Sequence, residues 1–181
     1  MARSRGSVRS PRLSSFFPRQ SPIVGIGDGY FPAPFPRMKK KSFEISHLVE
    51  FYETDMAGVV HFSNFFRYLE KCEHAFARSL DIDSGFLAAS GSSAWPRVHA
   101  SCDYREPARY GDVLTIRLFI TEVRNRSVRY RFEVLRDQDL LAEATMVVAH
   151  VTSASDGSLR ATPLPDGLRS ALADHLEKLM E

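Results

Sequence analysis

Apolar and polar positions along the chain change period several times, and each change marks an element. Phe43, Ile45, His47, Val49 and Phe51 alternate with Glu44, Ser46, Leu48 and Glu50. Period two is the pattern of a strand with one face inward, although Leu48 weakens the polar side. From Phe65 the spacing lengthens. Phe65, Leu69, Cys72, Phe76 and Leu80 recur at steps of three and four residues, which puts one apolar stripe on a helix of about four turns. Asn64 stands where an N-cap is expected. The Gly/Ser/Ala-rich run from Ser84 to Ala94 reads as a loop.

Period two then returns four times. Val98, Ala100, Cys102 and Tyr104 alternate with His99, Ser101, Asp103 and Arg105; Leu114, Ile116, Leu118 and Ile120 share a face opposite Thr115, Arg117 and Phe119. Val128, Tyr130, Phe132 and Val134 follow, then a long strand from Leu140 to Thr152. Pro107 with Tyr110-Gly111-Asp112, then Asn125, then Asp137-Gln138-Asp139 supply the turns. After a Gly/Pro linker, Leu168, Leu172, Leu176 and Leu179 line one side of a helix over 166–179. Short connections predict that the last four strands form an antiparallel meander, with the long helix covering a sheet face. The fold class is α+β. An antiparallel five-stranded sheet wrapped around one long central helix, plus a C-terminal helix, is the hotdog architecture.

Composition alters this picture mainly at the N-terminus. Residues 1–41 hold nine Lys/Arg and one acid, Asp28, for a net +8, and carry prolines at 11, 18, 22, 32, 34 and 36. Such a segment has no amphipathic period and is expected to be disordered. It reads as a stretch ahead of a start at Met38, with an organelle leader as the alternative and a cytoplasmic location as the expectation. The organisation is therefore 1–41 as leader, 42–153 as the folded domain, and 154–181 as linker and helix. The rest of the chain has 15 basic and 21 acidic residues, a net −6. That balance argues against a nucleic-acid-binding face. No run reaches the roughly 20 apolar residues of a membrane helix. Cys72 and Cys102 stand alone, without metal-ligand spacing, so neither a zinc site nor a disulfide framework is expected.

The segment with the most chemistry is Asp55-Met56-Ala57-Gly58-Val59-Val60-His61-Phe62-Ser63-Asn64-Phe65, between the first strand and the long helix. Apolar neighbours around a carboxylate strengthen its effect on a bound substrate, and such a group can attack a carbonyl or take a proton from water. Gly58 lets the backbone approach a ligand closely and suits a positive φ. The residues alone leave a second reading equally open, in which Asp55 only caps its own loop. His61 can polarise water or form a pocket wall. Glu70 and Glu73 on the helix are expected to face solvent or a neighbouring subunit, and His99 and His150 in strands are expected to be structural.

This segment resembles the 4-hydroxybenzoyl-CoA thioesterase family, whose members carry D-x-x-G-x-V followed by an aromatic residue and Asn-Phe. The likeness extends through Pro96–Tyr104, through Glu106-Pro107 with Tyr110-Gly111-Asp112-Val113-Leu114, and through Arg124-Asn125-Arg126-Ser127, covering about 42–153. It implies an acyl-CoA thioesterase with Asp55 as nucleophile or general base and His61 as a second candidate. It further implies Gly58, Val59 and Asn64 beside the substrate, and Arg124, Arg126 and Ser127 on the CoA phosphates. Sites at the interface of a homodimer or homotetramer are implied as well. No metal or resident cofactor is called for, since CoA is part of the substrate. Relatives associated with the Tol-Pal envelope system carry a His one position later, where this chain has Phe62. Relatives that hydrolyse 1,4-dihydroxy-2-naphthoyl-CoA in quinone synthesis share the Glu53-Thr54-Asp55 pattern. That reaction is one alternative, and a non-catalytic acyl-CoA or acyl-carrier-protein binding module is another. No G-x-S-x-G elbow, phosphate-binding loop or H-E-x-x-H competes.

Overall fold

The first strand is shorter than its alternation suggests, because the chain turns as soon as it leaves the sheet. In the computed structural model, which describes residues 42–80, 93–154 and 156–176, strand β1 is Phe43–Leu48. Phe51, expected to extend it, begins a 3-10 turn, Phe51–Glu53, and is three-quarters exposed. Helix α1, Phe62–Ser79, starts earlier than expected. Its N-cap is His61, whose side chain accepts from Ser63 N–H, and Asn64 lies inside the first turn. Phe65, Tyr68, Leu69, Cys72 and Phe76 are buried along one face of α1. The stripe seen in the sequence is therefore the contact with the sheet.

Strands β3 (Arg97–Tyr104), β4 (Val113–Val123), β5 (Ser127–Arg136) and β6 (Asp139–Ala149) join β1 in a five-stranded antiparallel sheet of order β1-β4-β5-β6-β3. The expected four-strand meander holds only for β4, β5 and β6. Strand β3 pairs with β6 at the opposite edge. The connection over 105–112 must cross three strand spacings, about 14 Å, and eight residues reach about 26 Å. It is tied down on the way: Arg105 N–H and Glu106 N–H donate to Leu141 O at 2.8 and 3.1 Å. Arg136 donates to Pro107 O and to Asp112 Oδ2. This crossing loop later meets the candidate site.

The long last strand is also divided. His150 interrupts it: its N–H donates to Arg126 O at 2.9 Å, its ring packs on Trp95, and Nδ1 lies 2.9 Å from Pro163 O. Beyond it, β7 (Val151–Ser153) joins β2 (Ser93–Ala94) and β8 (Leu159–Ala161) in a small three-stranded sheet. Ser93 and Ala94, expected in a loop, are thus paired. Helix α2 spans Asp166–Ala173 with Leu168 and Leu172 buried. Leu176 bridges to Ile120, while Leu179 of the expected helix falls outside the described residues, as do 1–41.

The core lies between α1 and the inner sheet face. Ile116, Leu118, Val128, Tyr130, Phe132, Val134, Ala142, Ala144 and Val148 are almost wholly buried there. At roughly 1.5–3 kcal/mol per large buried side chain, this face supplies most of the drive to fold. The opposite face is unusually polar for a buried surface. Arg131 lies 4.0 Å over the Phe119 ring and pairs with Glu133 at 2.7 Å, and Arg105 pairs with Glu143. Among the described residues no helix is long and apolar enough to cross a membrane.

Candidate active site

Between the 3-10 turn and α1 the chain makes a closed loop. A bridge between Thr54 and Val60 shuts its base; Asp55 N–H donates to Val59 O at 2.8 Å and Gly58 N–H to Asp55 O at 2.9 Å. Gly58 takes φ +70°, a left-handed conformation in which a side chain costs energy. The Asp55 carboxylate turns back on the loop, with Oδ1 accepting from Ala57 N–H at 2.8 Å and Val59 N–H at 3.4 Å. Oδ2 takes no hydrogen bond from any described residue. Both sequence readings of Asp55 are thus compatible with one geometry, in which one oxygen caps the turn and the other has no partner among the described residues.

Asp55 is not buried by its apolar neighbours among the described residues. Asp55, Met56, Ala57 and Gly58 are all exposed, because the loop closes on itself between Thr54 and Val60 instead of packing against the core. Around it stand other exposed apolar side chains. Phe51 meets Tyr110 edge-on at 6.0 Å, and Tyr52, Met56 and Phe62 are likewise open to solvent. The crossing loop braces the site from one side: Val60 N–H donates to Ala108 O at 2.8 Å, and Arg109 Nη1 to Gly58 O at 3.3 Å.

His61 does not join Asp55 through any described hydrogen bond. Its Nδ1 accepts from Ser63 N–H at 3.4 Å and lies 2.8 Å from Ser63 Oγ, which assigns the ring hydrogen to Nε2. Asn64 is buried, not a cap. Its Nδ2 donates to Glu53 O at 2.7 Å, and His61 N–H donates to the same oxygen at 2.9 Å. Arg124 and Arg126 sit on the exposed β4–β5 turn, and Ser127 begins β5. They are not brought together with Asp55 in one chain. The crossing loop leads into one end of the 11-residue β4 and the turn leaves the other, a span of about 35 Å. Arg124 is paired with Glu122 at 2.6 Å, whereas the Arg126 side chain has no described partner.

Residues that sequence reasoning passed over matter most beneath the loop. Glu53, 7% exposed, holds His47 Nε2 at 3.0 and 3.1 Å and accepts Glu50 N–H at 2.8 Å. The signal available was His47 itself, a polar residue on the inward face of an apolar strand. Glu73, expected outward, is fully buried; it pairs with Arg97 at 2.5 Å while its Oε1 has no partner. Burial lifts its carboxyl above the ordinary value, outweighing Arg97. Its helical position, one step past the apolar Cys72, could have suggested this. Glu70 is half exposed and lies 3.3 Å from Arg97. His99 is exposed on β3. Burial pushes the Cys72 thiol up to about 12 and Cys102 to about 11, so neither is an activated nucleophile.

Residues 49–172 match the family model of the thioesterase-like superfamily. The chain belongs to that superfamily. It is 35% identical over 133 residues to a 1,4-dihydroxy-2-naphthoyl-CoA hydrolase of Synechococcus sp. (strain CC9605), covering 69% of this chain and 85% of that one. A putative esterase of Aquifex aeolicus (strain VF5) is 32% identical over 96 residues, 53% of this chain and 74% of the relative. The crystal structure of a 1,4-dihydroxy-2-naphthoyl-CoA thioesterase from Synechocystis superposes with a TM-score of 0.66 at 27% identity, over 74% of this chain and 97% of that one. The matched span of this thioesterase-like chain contains the whole Asp55 loop, α1 and the crossing loop.

Proposed function

We propose that the chain is an acyl-CoA thioesterase in which Asp55 acts on the thioester carbonyl. The observation that carries this reading is the half-committed carboxylate: Oδ1 is fixed by two backbone N–H groups and Oδ2 is left open, in a superfamily of thioesterases. A carboxylate so aimed either attacks the carbonyl carbon or removes a proton from water that does. Either way the C–S bond breaks, CoA leaves as a thiolate that takes a proton, and water supplies the oxygen of the free acid. Water is the one co-reactant required, and CoA belongs to the substrate. Gly58, Val59 and Asn64 lie beside the loop as candidate substrate contacts, and His61 Nε2–H is a candidate donor to substrate or water.

The site is completed by a second copy of the chain, in a homodimer or homotetramer. Two facts support this: exposed Phe51, Tyr52, Met56, Phe62 and Tyr110 leave the loop without apolar walls, and Arg124, Arg126 and Ser127 are too distant to meet the same CoA within one chain. A partner's turn brings cationic groups to the phosphates. Arg126 is the stronger contact, since Arg124 must first give up Glu122. A cytoplasmic location belongs to the same reading.

The substrate reading favoured by the relatives is 1,4-dihydroxy-2-naphthoyl-CoA, because the chain covers 85% of a hydrolase of that name at 35% identity. Rates over a panel of aliphatic, benzoyl and naphthoyl CoA esters test both levels. Hydrolysis of none of them removes the enzyme reading; a marked preference for aliphatic esters removes the naphthoyl one.

A further inference from the structure

The Asp55 loop rests on a polar chain, buried at Glu53 and open to solvent at Lys71, that the hydrolysis itself does not use. Lys71 of α1 places Nζ 3.2 Å from His47 Nδ1 on β1, and His47 Nε2 reaches both oxygens of Glu53. An ammonium can only donate, so Nδ1 accepts and Nε2 carries the hydrogen given to Glu53. The His47 ring packs 4.3 Å from Tyr68, which fixes its plane. Glu53 Oε2 also accepts Glu50 N–H, so the carboxylate closes the turn that leads into the loop. The carbonyl oxygen of the same residue accepts His61 N–H and Asn64 Nδ2–H. One residue therefore joins β1, the 3-10 turn and the start of α1, two positions before Asp55.

We propose that Glu53, held by His47 and Lys71, is a positioning residue that acts through Asp55 and Asn64. This rests on the proposed thioesterase function. Its carboxylate sets where the chain enters the Asp55 loop, and its carbonyl sets where the chain leaves it for α1. The role depends on two acceptor oxygens. In Glu53→Gln an oxygen at the Oε2 position can keep Glu50 N–H and one of the two contacts to His47, but the amide nitrogen that replaces Oε1 then faces His47 Nε2–H donor to donor. Moving the ring hydrogen to Nδ1 only transfers the conflict to Lys71. The substitution is nearly isosteric, so what it disturbs is the loop's aim. Misplacement of a reacting group by a fraction of an ångström to 1 Å costs about tenfold to about 100-fold in rate.

The test is a double-mutant cycle on kcat with the best CoA ester of the panel. Glu53→Gln should lower kcat by about tenfold or more with KM little changed. Added to Asp55→Asn, it should cost almost nothing further, because the group it aims is already gone. A role in stability alone predicts the reverse: a lower melting temperature, kcat retained by the folded fraction, and equal factors in both backgrounds. Near-normal kcat in Glu53→Gln, or a full additional loss in the Asp55→Asn background, overturns the proposal while leaving the thioesterase reading intact. If Glu53→Gln does not fold, His47→Gln and His47→Leu carry the same test. Gln keeps a donor for Glu53 and an acceptor for Lys71, so it should retain most of kcat, and Leu should not; equal rates for the two overturn the role. A wild type inactive on the whole panel overturns the proposed function, and this role with it.

Discussion

At the residue scale, the two tasks proposed for Asp55, capping its loop and acting on the thioester, are separated by Asp55→Asn. Asp55→Asn keeps an oxygen for Ala57 N–H and Val59 N–H, so the loop should hold and the melting temperature should move little. It replaces the free oxygen with an amide that can neither attack nor take a proton. Hydrolysis should fall roughly 100-fold or more. Wild-type rates in the purified variant would remove Asp55 from the chemistry. Glu73 offers an independent check on burial. A carboxyl raised by desolvation binds its proton more tightly in the folded state than in the unfolded one. Its contribution to stability is therefore complete below the ordinary value of 4.5 and is lost as pH rises through the higher folded value. Glu73→Gln cannot ionise, and Arg97 keeps Glu70 as a partner. The stability of wild type relative to Glu73→Gln, from urea unfolding at a series of pH values, should decline as pH climbs above 4.5. Parallel curves would show that Glu73 does not titrate with folding.

At the scale of elements, the β4–β5 turn is fixed by the C-terminal segment. Arg169 Nη2 donates to Asn125 Oδ1 at 2.8 Å, and Leu164 N–H to Asn125 O at 2.8 Å. A turn anchored at Asn125 presents its two neighbours, Arg124 and Arg126, at a constant place, which suits recognition of phosphate. Replacing both by Ala should raise KM for an acyl-CoA with less change in kcat, because phosphate contacts remote from the carbonyl bind substrate and transition state alike. The matching acyl-pantetheine, which lacks the nucleotide, should be hydrolysed as before. An unchanged KM for the CoA ester would place the nucleotide elsewhere.

For the whole molecule, the separation of Asp55 from that turn makes subunit exchange informative. In a mixed oligomer of Asp55→Asn chains and Arg124→Ala/Arg126→Ala chains, a site shared between copies regains one intact combination: Asp55 from the second chain and both arginines from the first. Co-expression should then restore hydrolysis with the wild-type KM in a fraction of the oligomers. A mixture no better than its two components would confine each site to one chain. The exposed aromatic side chains near Asp55 belong to the same level, since Phe51, Tyr52 and Tyr110 remain largely open to solvent.

Much of the architecture was legible in local pattern. The alternation at 114–120 and 128–134 and the stripe Phe65–Phe76 follow from the repeat of each element, so period alone decides which residues face the core. The loop's conformation was legible too, because the positive φ expected at Gly58, three residues after Asp55, is found. Strand order was not. Period two is the same whichever neighbour a strand chooses, and β3 pairs with β6 because the 105–112 connection can cross the sheet end. The cap of α1 was misplaced for a similar reason: Asn64 has the chemistry of a cap, but its partner is Glu53 O, eleven residues away. Glu53, His47, Lys71, Glu73 and Arg97 acquire their roles through contacts between elements, which a local pattern does not encode. The sequence by itself determined most of the elements and the loop that carries Asp55; only the tertiary structure decided what holds that loop, because burial and charge pairing depend on which segments meet in space.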